Sequence, residues 1–128
     1  MIPELTYLVY AVILLIAHML IQATLSDLSK GLPWALGAQD EPREQNVIAG
    51  RVERALRNYI YNVPAFIALA LILAVTETNT AGTATGAALW FWARVAYVPA
   101  YASGVPLVRS IAWFASLGGL AMMILPLI

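Results

Sequence analysis

Hydrophobic positions along the chain gather into four stretches rather than alternating with polar ones. The first, "LTYLVYAVILLIAHMLIQATL", runs from Leu5 to Leu25 with His18 as its one basic group. The second, "VPAFIALALILAV" from Val63 to Val75, is too short to cross a hydrocarbon core that needs about 20 residues. It becomes a span only if its helix starts upstream, between Asn46 and Arg51, and includes the charged turns "RVERALRNYIYN". The third, Thr83 to Ala102, carries Arg94 well inside an apolar sequence. The fourth begins at Pro106, where a first-turn proline forfeits no helical hydrogen bond, and has Arg109 just inside. The pattern predicts an all-α, integral membrane four-helix bundle in one domain, residues 1–128, with spans near 5–25, 46–75, 83–102 and 106–127. "SDLSKGLPWALGAQDEPREQNVIAG" is its main loop, and "TETNTAG" and "SGVP" are short connections.

Composition narrows the chemistry. A chain that is 62% hydrophobic and 11% charged has the bilayer as its solvent. Seven basic and seven acidic residues balance, which argues against a nucleic-acid-binding surface. The N-terminus carries Glu4 instead of the basic segment of a secretory signal, so the first stretch reads as a retained span. Without cysteine there is no disulfide, no thiolate metal site and no protein-borne thiol nucleophile. Any sulfur chemistry has to arrive with a ligand. One histidine and scattered acids leave no metal site to expect. Lys30, Arg43, Arg51, Arg54 and Arg57 lie in or just after the main loop, whereas the N-terminus and the second connection carry no basic residue. The positive-inside rule then places both termini of a multi-pass protein on the non-cytoplasmic side. In a bacterium the host membrane would be the inner one.

Helical geometry sorts the polar groups into faces. At about 100° per residue, Arg51, Arg54, Asn58 and Tyr61 fall within an arc of about 80°. Arg57 and Glu53 lie off that arc and suit an i,i+4 pair. Arg94, Tyr97 and Tyr101 share an arc of about 60°, and Arg109, Trp113 and Ser116 share another face. Any one arginine could snorkel to headgroups or balance Glu and backbone carbonyls, which is the reading favoured for Arg51. Burying a cation mid-membrane costs roughly 2.5–3.5 kcal/mol, and acids in the spans are too few to offset it. Glu53 is near the surface, and Glu4 and Glu77 belong to the opposite side. The expectation for Arg94, Arg54 and Asn58 is that an anionic ligand neutralises the cluster. His18 and Gln22 read as a helix-packing hydrogen-bonding pair. Trp90 to Trp92, "WFW", read as lipid- or interface-facing, and Gly118 and Gly119 as a close helix contact.

Two blocks resemble the membrane-associated proteins in eicosanoid and glutathione metabolism (the MAPEG family), which include the microsomal glutathione transferases. "RALRNYIYNVPAF" is similar to the family's second-helix pattern R-A-x-x-N-x-x-E-N followed by P and F, matched by Arg54, Ala55, Asn58, Asn62, Pro64 and Phe66. "ARVAYVPAYASGVPLVRS" resembles its third-helix arginine and tyrosines, its glycine turn and its fourth-helix Arg-Ser pair, at Arg94, Tyr101, Gly104, Arg109 and Ser110. The resemblance covers nearly the whole chain. It implies a homotrimer with glutathione as co-substrate between subunits, membrane lipids around it, and an apolar small-molecule substrate such as an electrophile or lipid hydroperoxide. Arg54, Arg57 and Asn58 would be glutathione contacts, with Tyr61 beside them. Arg94, Tyr97 and Tyr101 would be third-helix contacts, and Arg109 and Ser110 would stabilise the thiolate. The chain departs from the family at two positions. Tyr61 stands where the pattern has glutamate, and Trp113 where several members have tyrosine. A phenol cannot offer the ligand's ammonium a charged acceptor. The alternative is therefore a non-enzymatic scaffold or an accessory subunit of a larger membrane complex.

Overall fold

The computed structural model describes residues 1–128. Helix α1, Pro3–Lys30, starts with a proline in its first turn and Glu4 beside it, and ends at Gly31, whose φ of 100° a side chain would resist. Arg43 Nη1 donates to the Lys30 carbonyl at 2.9 Å, satisfying one of the acceptors that a helix end leaves free. A single helical turn, α2, Leu32–Ala35, follows in the loop. Asn46 then caps α3, Val47–Thr76, by accepting from the Ala49 N–H at 2.8 Å. The charged turns of "RVERALRNYIYN" are therefore inside that helix. Helix α4, Ala81–Ala102, opens with a reciprocal Thr80/Thr83 capping box, and α5, Pro106–Ile124, ends in a 3-10 turn, Leu125–Leu127.

Three of these segments are long and apolar enough to cross a membrane: Pro3–Lys30, Val47–Thr76 and Pro106–Leu127. Helix α4, at 22 residues, has a comparable length, but its opening "AGTATGAA" is small and weakly apolar. The protein is an all-α integral membrane protein. Its many exposed leucines, isoleucines and valines on α1, α3 and α5 suit a lipid solvent.

The core lies where α3 meets α1 and α4. Tyr59, Phe66, Ala70 and Leu73 form the buried stripe of α3, and Trp90 and Met123 close on it. The expectation that all of Trp90 to Trp92 face lipid fails for Trp90, which is wholly buried and stacked on Phe66 at 4.1 Å between ring centroids. Consecutive helical residues point about 100° apart, so three aromatics in a row cannot share one face. Trp92 takes the outward position at 58% exposure. Helices α4 and α5 touch backbone to backbone at Gly86 and Gly119, where a Cβ on either glycine would come within 2.6 Å of the other's carbonyl oxygen. Gly118 is exposed and plays no part in that contact, so the expected glycine pair reduces to Gly119.

Polar groups fix the helices in register. Tyr59 donates from its hydroxyl to the Ala11 carbonyl on α1 at 2.6 Å. The Thr83 hydroxyl donates to the buried Glu4 carboxylate, tying α1 to the start of α4. His18 is buried beside the Tyr59 ring, and neither of its nitrogens meets a partner, so the expected hydrogen bond to Gln22 is not made. Gln22 instead borders a shallow groove with Glu53 and Arg57.

Candidate functional site

At the end of the bundle remote from Glu4, three helices present polar side chains to one cavity of about 310 Å³. Helix α3 contributes Arg54 and Asn58, α4 contributes Tyr97 and Tyr101, and α5 contributes Arg109, Ser110 and Trp113. The residues come together because each helix repeats its polar positions every three or four residues on a single face. Arg54 and Asn58 are one turn apart, as are Tyr97 and Tyr101.

Tyr101 joins the three helices. Its hydroxyl accepts from Arg54 Nε at 3.2 Å, and the Arg109 guanidinium lies over its ring at 4.8 Å. Such cation–π contacts hold both guanidinium groups at the cavity without supplying a counter-charge. Behind the wall, Arg94 is 1% exposed, lies 4.3 Å from the Tyr97 ring centroid, and donates from Nη2 to Asn58 Oδ1 at 2.8 Å. Asn62 Nδ2 reaches the same oxygen at 3.2 Å. With its carbonyl oxygen taken twice, Asn58 has its amide N–H groups free for the cavity.

The electrostatics are one-sided. The chain's single ion pair is Arg57 to Glu53 at 3.6 Å on the exposed side of α3, and Gln45 also donates to Glu53. Arg54, Arg94 and Arg109 have no carboxylate within ion-pair distance. Arg94 keeps Nε and Nη1 unpartnered although both are buried, and Trp113 Nε1 is likewise a buried donor without an acceptor. No carboxylate lines the cavity. A group of donors with two cations and no acid is chemically suited to a ligand bearing several anionic oxygens or a developing negative charge.

Six of the nine residues expected at a site line this cavity, and Arg94 backs it. Two lie elsewhere. Arg57 is turned to the outside and engaged with Glu53, as its off-arc angle suggested. Tyr61 is 75% exposed and outside the cavity, because it sits about 180° around α3 from the buried Val52. Arg51 takes the structural role expected of it, answering a backbone carbonyl. Its Nη1 donates to the Ala102 carbonyl at 3.2 Å, and its guanidinium lies where a side chain on Gly104 would collide at 2.8 Å. Gly104 has a φ of 77° as well, so the α4–α5 turn needs glycine for both reasons. Trp113 was visible in the sequence as a face-sharing neighbour of Arg109, but nothing there revealed its unpaired N–H.

The sequence profile of the MAPEG family matches residues 5–128, essentially the whole chain. The chain belongs to the MAPEG family. Neither a curated protein nor a solved structure matches it. Membership associates the protein with glutathione-related and eicosanoid metabolism in membranes. In this MAPEG chain the second-helix arginine and asparagine, Arg54 and Asn58, and the Arg-Ser pair, Arg109 and Ser110, border the same cavity. The family pattern's glutamate position, Tyr61, does not.

Proposed function

We propose that the protein is a membrane-bound glutathione-dependent transferase or peroxidase acting on apolar electrophiles or lipid hydroperoxides. The observation that carries this reading is the convergence of Arg54, Asn58, Tyr101, Arg109 and Ser110 on one acid-free cavity in a MAPEG chain. Its 310 Å³ is at the small end of the roughly 300–1,000 Å³ usual for ligand pockets. Glutathione brings two carboxylates, an ammonium and a thiol. Arg54 would hold a carboxylate with its planar fork, and the Asn58 amide would donate to the tripeptide's carbonyl or carboxylate oxygens. Arg109 and Ser110 would stabilise the sulfur as a thiolate. Lowering a thiol pKa from near 8.5 to about 6.5 takes roughly 2.7 kcal/mol, within reach of one partly buried guanidinium and a hydroxyl. The activated sulfur then forms a bond to the electrophilic carbon as its leaving group departs, or is oxidised as a hydroperoxide is reduced.

In the same reading the chain assembles as a homotrimer, with the open side of the cavity and the exposed face of α3 against a neighbour. The arginine end faces the cytoplasm and both termini face away from it. The test is calorimetric glutathione binding together with conjugation of a chlorodinitrobenzene substrate. Binding and turnover that fall in an Arg109→Ala variant support the proposal, and absence of both in the native protein rules it out. A second reading, a lipid-presenting scaffold or accessory subunit, is favoured by one observation: no carboxylate lines the cavity to meet the ligand's ammonium. That reading expects no glutathione binding and retention of the chain in a larger membrane complex.

A further inference from the structure

The loop between α1 and α3 borders a second cavity of about 490 Å³ that shares Arg54 with the first. Its basic side chains are Lys30, Arg43 and Arg54, and Glu44 is its single acid. None of the three cations is in an ion pair. Arg43 spends one of its N–H donors on the Lys30 carbonyl, leaving the rest of its guanidinium free. Lys30 places its ammonium 5.1 Å from the Trp34 ring centroid and engages no acceptor. Gly50, with no side chain, keeps the floor open beside Arg54, and the first turn of the 30-residue α3 adds its positive dipole end.

The chain on either side of Lys30 carries exposed apolar side chains. Leu28, Leu32 and Leu36 are 61%, 53% and 86% exposed, and Trp34 is half-buried. Lys30 ends a membrane-length helix and Val47 begins another, so the cavity lies at headgroup depth, where tryptophan and basic residues anchor proteins to the bilayer surface. A cationic cavity at headgroup depth, in a stretch of chain with exposed leucines, suits a ligand that joins a charged phosphate to acyl chains. A free tripeptide would leave those leucines unused.

We propose that this cavity binds the phosphate of an anionic phospholipid between Lys30, Arg43 and the start of α3, with the acyl chains lying over Leu28, Leu32 and Leu36. The proposal does not rest on the glutathione reading, since Lys30 and Arg43 lie outside the first cavity. Full-length protein, delipidated in a neutral detergent, is titrated with dioleoyl phosphatidylglycerol or dioleoyl phosphatidylcholine, and bound lipid is counted by native mass spectrometry. The phosphatidylglycerol preference is expected to fall about 25-fold in Lys30→Gln/Arg43→Gln, at roughly fivefold per basic side chain. It should return in Lys30→Arg/Arg43→Lys and survive in Ser110→Ala. Equal binding of the two lipids, or a preference unchanged by the glutamine pair, overturns the proposal. Displacement of the lipid by equimolar inorganic phosphate overturns it in favour of a free-anion site. Displacement by equimolar glutathione overturns it in favour of one continuous glutathione site.

Discussion

At one end of the bundle a buried carboxylate, Glu4, sits against the first turn of α4, takes a hydrogen bond from Thr83, and lies where a helix N-terminus favours negative charge. At the other end, Arg54, Arg94 and Arg109 gather with phenols, an amide and an indole but no acid. Both ends bury or enclose charge in a molecule otherwise solvated by lipid, and they handle it differently. The Glu4 end gives one carboxylate oxygen the Thr83 hydroxyl and leaves the other, Oε2, without a partner, and the result is helix registry. The arginine end leaves N–H groups of Arg94 and Trp113 unpartnered around a cavity. An unpartnered buried polar atom does not by itself mark a site, since Glu4, His18 and Trp90 carry such atoms too; the arginine end differs because its open donors include cations gathered at a cavity that no acid lines.

Substitutions can break this contrast. The largest expected effect is at Arg109, where alanine should reduce conjugation by about 100-fold, the equivalent of roughly 2.7 kcal/mol of thiolate stabilisation. Measuring kcat/KM alongside the pH dependence of the thiolate absorbance separates that role from a purely structural one. Next is Asn58→Asp, which gives the arginine end an acid of its own. Arg94 keeps an acceptor and gains a counter-charge, so thermal stability should hold or rise. Glutathione affinity should fall about tenfold or more, because the added carboxylate repels those of the ligand, and calorimetry reads both effects on one preparation. Glu4→Ala probes the other end. Removing the acceptor of the Thr83 hydroxyl should lower stability by about 1 kcal/mol, visible in a thermal melt, with glutathione affinity unchanged. A loss of affinity there would mean that the two ends are coupled. The smallest change is expected for Tyr61→Glu, less than about fivefold in affinity, because the side chain lies outside the cavity and a weak exposed contact is worth under about 1 kcal/mol. A tenfold gain would show that the ligand extends over the exposed face of α3.

Much of the arginine end could be read from periodicity. Arg54 with Asn58, Arg94 with Tyr97 and Tyr101, and Arg109 with Trp113 each share a helical face, and spacing within one helix is a local property. How those faces meet is not local. That Arg94 would turn behind the cavity and orient Asn58 depends on the approach of α4 to α3, and so does the placement of Tyr101 between two guanidinium groups. Tyr61 shows the limit most clearly. Its angle matched the Arg54 face, but Arg54 reaches the cavity with a long side chain, while the position of Tyr61 leaves its ring exposed. Trp90 failed for the complementary reason, since a hydrophobic aromatic satisfies lipid and core equally well and only the presence of Phe66 opposite decides between them.

By itself the sequence determined the membrane setting, the helical class and the family. Each of these follows from segment length, apolar content, capping residues and short motifs that do not depend on neighbours. Tertiary structure alone decided which arginine holds the fold and which faces the cavity, whereas the Arg57–Glu53 pair is local to α3. A guanidinium is compatible with a lipid headgroup, a backbone carbonyl, an aromatic face or a ligand, and the choice among them is made by what the packing of α3, α4 and α5 brings within a few ångströms.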